Sequence, residues 1–223
     1  MTKQSKVTFE KATLTINIMQ DHLDIFVRSI FTENMIFAYF LGMCSYLAIS
    51  KDVKSAFGLG LTVTFVFLII LPICYMLENY VFKPGALSWL GPAFEDVNIS
   101  FLSFIVFIAV VASVVQLLEM FIERFLPALY YSLGIFLPLI AVNCAILGAC
   151  LFMQQKNFPN VGLATTYGLG SGIGWLLAIV GLAAIREKLK FSDVPKPLRG
   201  LGIAFIITAL MGIGFMSFSG IKI

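Results

Sequence analysis

Two thiols, Cys44 and Cys144, stand 100 residues apart in a chain of 223. Cys44 closes the run Phe40-Leu-Gly-Met-Cys44, inside the first long apolar stretch. Cys144 closes Phe136-Leu-Pro-Leu-Ile-Ala-Val-Asn-Cys144, inside the fourth. Each opens a set of three apolar segments, so the pair reads as one position of a duplicated unit. Thiolates hold iron–sulfur clusters, usually four to a cluster. Two matched thiols supply half of a [2Fe–2S] site, and another polypeptide must bring the other half. Unpaired thiolates are too costly in hydrocarbon, so these cysteines are either neutral thiols or ligands of a cation. A structural zinc is a weaker option. The bland alternative is a free cysteine acting as a small buried hydrophobe. That reading is kept for Cys74 and Cys150, which have no counterpart in the other half.

The elements that must position these thiols follow from composition. Hydrophobic residues make up 60% of the chain, charged residues 12%, and mean hydropathy is +0.98. A soluble domain needs more polar surface than this. Six apolar runs, at roughly 30–50, 57–77, 99–118, 128–152, 164–185 and 200–219, are each long enough to cross a hydrocarbon core of about 30 Å as a helix. The expected fold is an all-α integral membrane protein of six transmembrane helices. It consists of an N-terminal tail over 1–29 and a membrane domain over 30–223, divided into three-helix repeats at 30–125 and 126–223. Three spans is an odd number, so the second repeat is inverted with respect to the first. Inverted repeats place a site near the bilayer midplane, formed by broken helices. Breakers stand beside both cysteines: Gly42 before Cys44, and Pro138 before Cys144. Breaks are therefore expected in spans one and four. Pro72 is expected to interrupt span two. Flanking charges put both thiols within about 6 Å of mid-span, at a rise of about 1.5 Å per residue. Gly168, Gly170, Gly172 and Gly174 in span five read first as close helix packing.

No cleavable signal peptide precedes span one. The stretch Ile16 to Phe31 carries apolar residues at helical spacing and predicts a short helix on the membrane surface. Basic residues divide 7 to 8 between the two sides, but five of them fall within the 14 positions from Arg186 to Arg199, between spans five and six. Charges in short loops set orientation, so that side is expected to be cytoplasmic and both termini external. His22 reads as a bystander, because a lone histidine has no partner ligands nearby in sequence. Glu33, Glu78 and Glu119 lie near span ends and read as interfacial. Asn143 either donates toward a cluster sulfur or bonds a neighbouring helix. No nucleotide-binding or zinc-protease motif is present.

The residues also carry a family resemblance. The runs Ser29-Ile-Phe-Thr-Glu-Asn-Met35, Phe40-Leu-Gly-Met-Cys44, Phe57-Gly-Leu-Gly60 and Leu133-Gly-Ile-Phe-Leu-Pro-Leu-Ile140 belong to it. So do Val142-Asn-Cys144, Tyr167-Gly-Leu-Gly-Ser-Gly172, Ile185-Arg-Glu-Lys188 and Leu198-Arg-Gly-Leu-Gly202. Together they resemble the NqrE family, the E subunits of sodium-translocating NADH:quinone oxidoreductases, from about Asp21 to the C-terminus. Residues 1–20 read as an extension, and the loop Lys83-Pro-Gly-Ala-Leu-Ser-Trp-Leu-Gly-Pro92 as a variable region. The resemblance implies a six-subunit complex of the bacterial inner membrane, which carries electrons from NADH to ubiquinone and exports Na⁺. It implies that the homologous D subunit (NqrD), inserted in the opposite orientation, shares a [2Fe–2S] cluster with this chain. It assigns Cys44 and Cys144 as this chain's two ligands and places the termini in the periplasm. NAD and flavins then belong to other subunits (A, B, C and F complete the complex), and no nucleic acid is involved. Two readings compete: the homologous A subunit of the Rnf ferredoxin:NAD⁺ complex, and a stand-alone inverted-repeat transporter.

Overall fold

The computed structural model describes residues 3–82, 100–125, 143–193 and 195–220, and all their regular structure is helical. Seven α-helices are found among these residues: α1 (Lys3–Ile30), α2 (Met43–Ile49), α3 (Val53–Leu77), α4 (Ser100–Phe125), α5 (Cys144–Lys156), α6 (Val161–Leu189) and α7 (Leu201–Met216). A π-helical turn, Glu78–Phe82, extends α3. Three stretches are long and apolar enough to cross a bilayer: Val53–Tyr80, Phe104–Phe125 and Val161–Leu189. With 13 and 7 residues, α5 and α2 reach only about 20 and 10 Å, too short to cross alone. The first part of expected span four with Pro138, the Lys83–Pro92 loop and Lys222 lie outside the described residues.

The glycine run makes α6 the central post. Gly168 and Gly172 face α3: a Cβ on Gly168 would lie 3.1 Å from the Phe67 carbonyl oxygen, and one on Gly172 2.8 Å from Thr64 Cα. Gly170 and Gly174 face α1: their added Cβ atoms would lie 3.0 Å from the Phe26 and Ile30 carbonyl oxygens. Each helix thus rests on a small-xxx-small stripe, which lets backbones approach closely without side chains between them. The contacts ascend together for α1 and in opposite order for α3. So α1 runs parallel to α6, and α3 runs antiparallel. The close-packing reading of these glycines describes what they do.

Two local expectations change. Pro72 does not interrupt its span; it lies inside the continuous helix α3. The proline leaves the carbonyl four residues back without its N–H, but flanking Leu71 is fully buried and packs on Gly168, so tertiary contact holds the helix through the defect. The expected short helix near Ile16–Phe31 is the end of the longer α1. Its residues from His22 to Ile30 lie along α6. The chain then leaves helical geometry between Ile30 and Met43. Covering that break, α7 stacks Phe215 on Phe37 with ring centroids 4.5 Å apart and on Phe31 at 5.8 Å.

Candidate thiol site where two half-helices meet

After the break the chain restarts at Gly42, whose φ is +81°, and α2 begins with Met43 and Cys44. In the second half, Asn143 caps α5: its Oδ1 accepts from the Ala145 N–H at 3.1 Å, and Cys144 is the first helical residue. The two starts abut. The Gly42 N–H donates to Cys144 Sγ at 3.0 Å. Cys44, two residues farther on, is within about 7 Å of Gly42, Cα to Cα. Both thiols lie on the exterior of the chain. Gly42 itself is buried, and no other residue suits it. A Cβ there would lie 2.8 Å from Trp175 Nε1, 2.9 Å from Asn143 Oδ1 and 3.0 Å from Ala145 Cβ.

The two short helices leave this point in opposite directions. At the end of α2 the Arg186 guanidinium donates to the Leu47 carbonyl at 3.0 Å and to Ser50 Oγ at 2.7 Å. A cation at a helix C-terminus satisfies orphan carbonyls and complements the dipole. At the other end, α5 finishes beside the start of α6. Lys156 there pairs with Glu33 and lies 5.0 Å from the Tyr167 ring centre. Arg186 and Tyr167 lie toward opposite ends of α6, so the N-termini of α2 and α5 converge from the two sides. Unpaired N–H groups of a first helical turn favour negative charge at that point. Buried donors stand nearby as well: Trp175 Nε1 and Asn143 Nδ2 have no hydrogen-bond partner among the described residues.

Asn34 holds the break in shape. Its Nδ2 donates to the Ile30 and Gly174 carbonyls at 3.0 and 2.9 Å, and its Oδ1 accepts from the Ile36 N–H at 3.0 Å. Sequence reading did not single out Asn34, Trp175 or Arg186 as supports. An amide beside a break and a tryptophan directly after a glycine run were the available signals. Asn143 resolves into a helix cap, with its amide nitrogen free of that role. His22 takes a structural partner: Nδ1 lies 2.8 Å from Thr166 Oγ1, where α1 docks on α6. Glu33 joins Lys156 at the end of α5, and Glu119 is half-buried on α4. The other two cysteines meet each other: Cys150 Sγ lies 3.3 Å from Cys74 Sγ, with both residues fully buried. Among the described residues no group of three or more His, Cys, Asp or Glu gathers, so the Cys44–Cys144 site offers two thiols from this chain.

A family model described as "Rnf-Nqr subunit, membrane protein" matches residues 22–222. The chain belongs to the Rnf-Nqr family. Similar proteins in this family include one from Idiomarina loihiensis, 52% identical over 205 residues, and one from Proteus mirabilis, 53% identical over 205 residues. A third, from Psychromonas ingrahamii, is 55% identical over 205 residues. Each comparison covers 92% of this chain and the whole of the relative. All three relatives are named as the E subunit of Na(+)-translocating NADH-quinone reductase. The Rnf-Nqr match spans every helix from the end of α1 to α7, and so both cysteines of the site.

Proposed function

We propose that this chain is the E subunit of a Na⁺-translocating NADH–quinone reductase, seated in a bacterial inner membrane with both termini periplasmic. Identity above half, over the full length of relatives bearing that name, supports the assignment. In this reading the described helices are part of a six-span inverted repeat, in which α1 with α2 forms a broken span one and α5 ends a broken span four. Cys44 and Cys144 hold half of a [2Fe–2S] cluster, and the homologous D subunit supplies the other half. NAD and flavins lie in other subunits.

The single observation that carries the ligand assignment is the junction at Gly42 and Cys144, where an N–H already donates to the sulfur at 3.0 Å. The residues suit such a group in three ways. The two thiols face outward, where a partner chain can complete the ligand set. Gly42 leaves no Cβ in the cradle. The Trp175 and Asn143 donors are buried nearby without acceptors among the described residues, and helix starts from both sides favour anionic sulfur. When bound, the cluster supplies one-electron transfer within the hydrocarbon layer. The chain's own residues do the positioning: Asn143 fixes the first turn of α5, Arg186 anchors the far end of α2, and Trp175 of α6 backs the junction at Gly42.

The test is the iron content and low-temperature EPR spectrum of the purified whole complex carrying Cys44→Ala or Cys144→Ala. Each variant is expected to lose the [2Fe–2S] signal and two irons per complex, with NADH–quinone reduction falling to background. An unchanged iron signal in either variant rejects that residue as a ligand.

A further inference from the structure

Cys74 and Cys150 lie outside the site just described, and nothing in the proposed electron path uses them. They come from different halves of the chain, yet their sulfurs are 3.3 Å apart in a fully buried position. Two further contacts fix the register that makes them meet. One turn along, Gln154 Nε2 donates to Glu78 Oε1 at 3.1 Å, pairing the residues four positions after each cysteine. Beside them the Tyr75 hydroxyl donates to the Phe158 carbonyl at 2.9 Å. So α3 and α5 run parallel here and are tied together on the C-terminal side of the thiol contact. A disulfide needs sulfurs about 2.05 Å apart, so closure must bring these two sulfurs more than 1 Å nearer.

We propose that Cys74 and Cys150 form a modification site: a dithiol that closes to a disulfide stapling α3 to α5, with a small peroxide as oxidant. Access sets the oxidant class. A cavity of about 10 Å³, lined by Tyr75, Glu78, Met153 and Gln154 among others, lies about one helical turn along from the pair. That is room for roughly one water-sized molecule. Hydrogen peroxide is close to that size, and a bulky disulfide reagent is not. The step balances. One thiol sulfur attacks a peroxide oxygen, the O–O bond breaks, and the departing hydroxide leaves as water with the thiol's proton. The resulting sulfenic acid is attacked by the second sulfur; the S–O bond breaks, S–S forms, and a second water leaves with the second thiol's proton. Two thiols are oxidised and one peroxide is reduced to two waters. Because Cys150 follows Cys144 by six residues on α5, the staple acts on the helix that carries the candidate ligand.

Membranes containing the whole complex should be treated with hydrogen peroxide or with oxidised glutathione. Free thiols are then alkylated after denaturation and the peptides mapped without reduction. Peroxide is expected to join the Cys74 and Cys150 peptides, with loss of alkylation at both and recovery by a reducing agent. Oxidised glutathione is expected to leave both alkylated. In Cys150→Ser the linked pair should vanish and a dimedone adduct should appear on Cys74. Retained alkylation of both thiols after peroxide overturns the proposal, and so does equal closure by glutathione. The linkage map of the unaltered complex decides even if Cys150→Ser fails to assemble. It does not read iron, so its outcome is separate from that of the cluster assignment.

Discussion

Gly42 is the residue on which the thiol junction depends most directly, and it does two jobs with one missing atom. Its φ of +81° is a conformation that costs other L-residues about 1–2 kcal/mol. Its face is also closed by Trp175 Nε1, Asn143 Oδ1 and Ala145 Cβ, all at 3.0 Å or less from an added Cβ. Overpacking of this kind costs about 1–3 kcal/mol more. Gly42→Ala combines both costs and is expected to lower the thermal midpoint of the detergent-solubilised complex. It should also lower iron content, because Asn143 and Cys144 must move with the clash. Fluorescence-detected gel filtration after heating reads the first effect and iron analysis the second. An unchanged midpoint for Gly42→Ala would show that neither the conformation nor the close face at Gly42 costs anything.

At the scale of helices, α6 decides where its neighbours go. Its paired glycine stripes let α1 and α3 settle against backbone, where dispersion contacts and not solvent exclusion drive association in lipid. Gly172→Ala puts a methyl 2.8 Å from Thr64 Cα, a backbone atom that cannot swing aside. Gly58→Ala, on α3, meets nothing within 4 Å and replaces a poor helix former with the best one. The first is expected to destabilise by about 1–3 kcal/mol and the second to be neutral or stabilising by up to about 1 kcal/mol. The thermal midpoint should therefore fall for Gly172→Ala and hold or rise for Gly58→Ala. A harmless Gly172→Ala would mean that α3 does not rest on this stripe.

The same helices show what the amino-acid order made legible. Apolar runs announced α3, α4 and α6, because a continuous hydrophobic stretch of that length has few other fates. The matched cysteines and Gly42 pointed to the break before α2, since glycine beside a repeated thiol is a local signal. The placement of α1 was not legible. Its His22 and, just past the helix end, Asn34 gain long-range partners only when α1 docks on α6, some 140 positions later: Thr166 for the first and the Gly174 carbonyl for the second. The contact of Cys74 with Cys150 was hidden for the same reason. It depends on the register between two helices, which neither segment encodes by itself. Pro72 misled because proline weakens a helix locally, whereas tertiary contact decides whether it breaks.

At the scale of the whole molecule, charge among the described residues is sorted between the two ends of the helical bundle. Lys51, Asp52, Arg186, Lys190 and Arg199 gather around one surface pocket, and Lys190 reaches Asp52 at 3.3 Å. Residues on that end come from the α2–α3 turn and the α6–α7 connection, so short loops carry the basic excess. The far end holds Glu33, Lys156 and His22, a more balanced set. Since Lys and Arg in short loops resist translocation, the basic end should face the cytoplasm. Green fluorescent protein inserted after Ser192, an exposed position between α6 and α7, is expected to fluoresce, and alkaline phosphatase inserted there to be inactive. Fused after the last residue, the two reporters are expected to exchange behaviour if the proposed periplasmic C-terminus is correct. A fluorescent C-terminal fusion with a dark insertion at Ser192 would reverse the orientation. It would also move the Cys74–Cys150 pair, which lies toward the Glu33–Lys156 end, from the half of the bilayer nearer the oxidising compartment to the half nearer the reducing one.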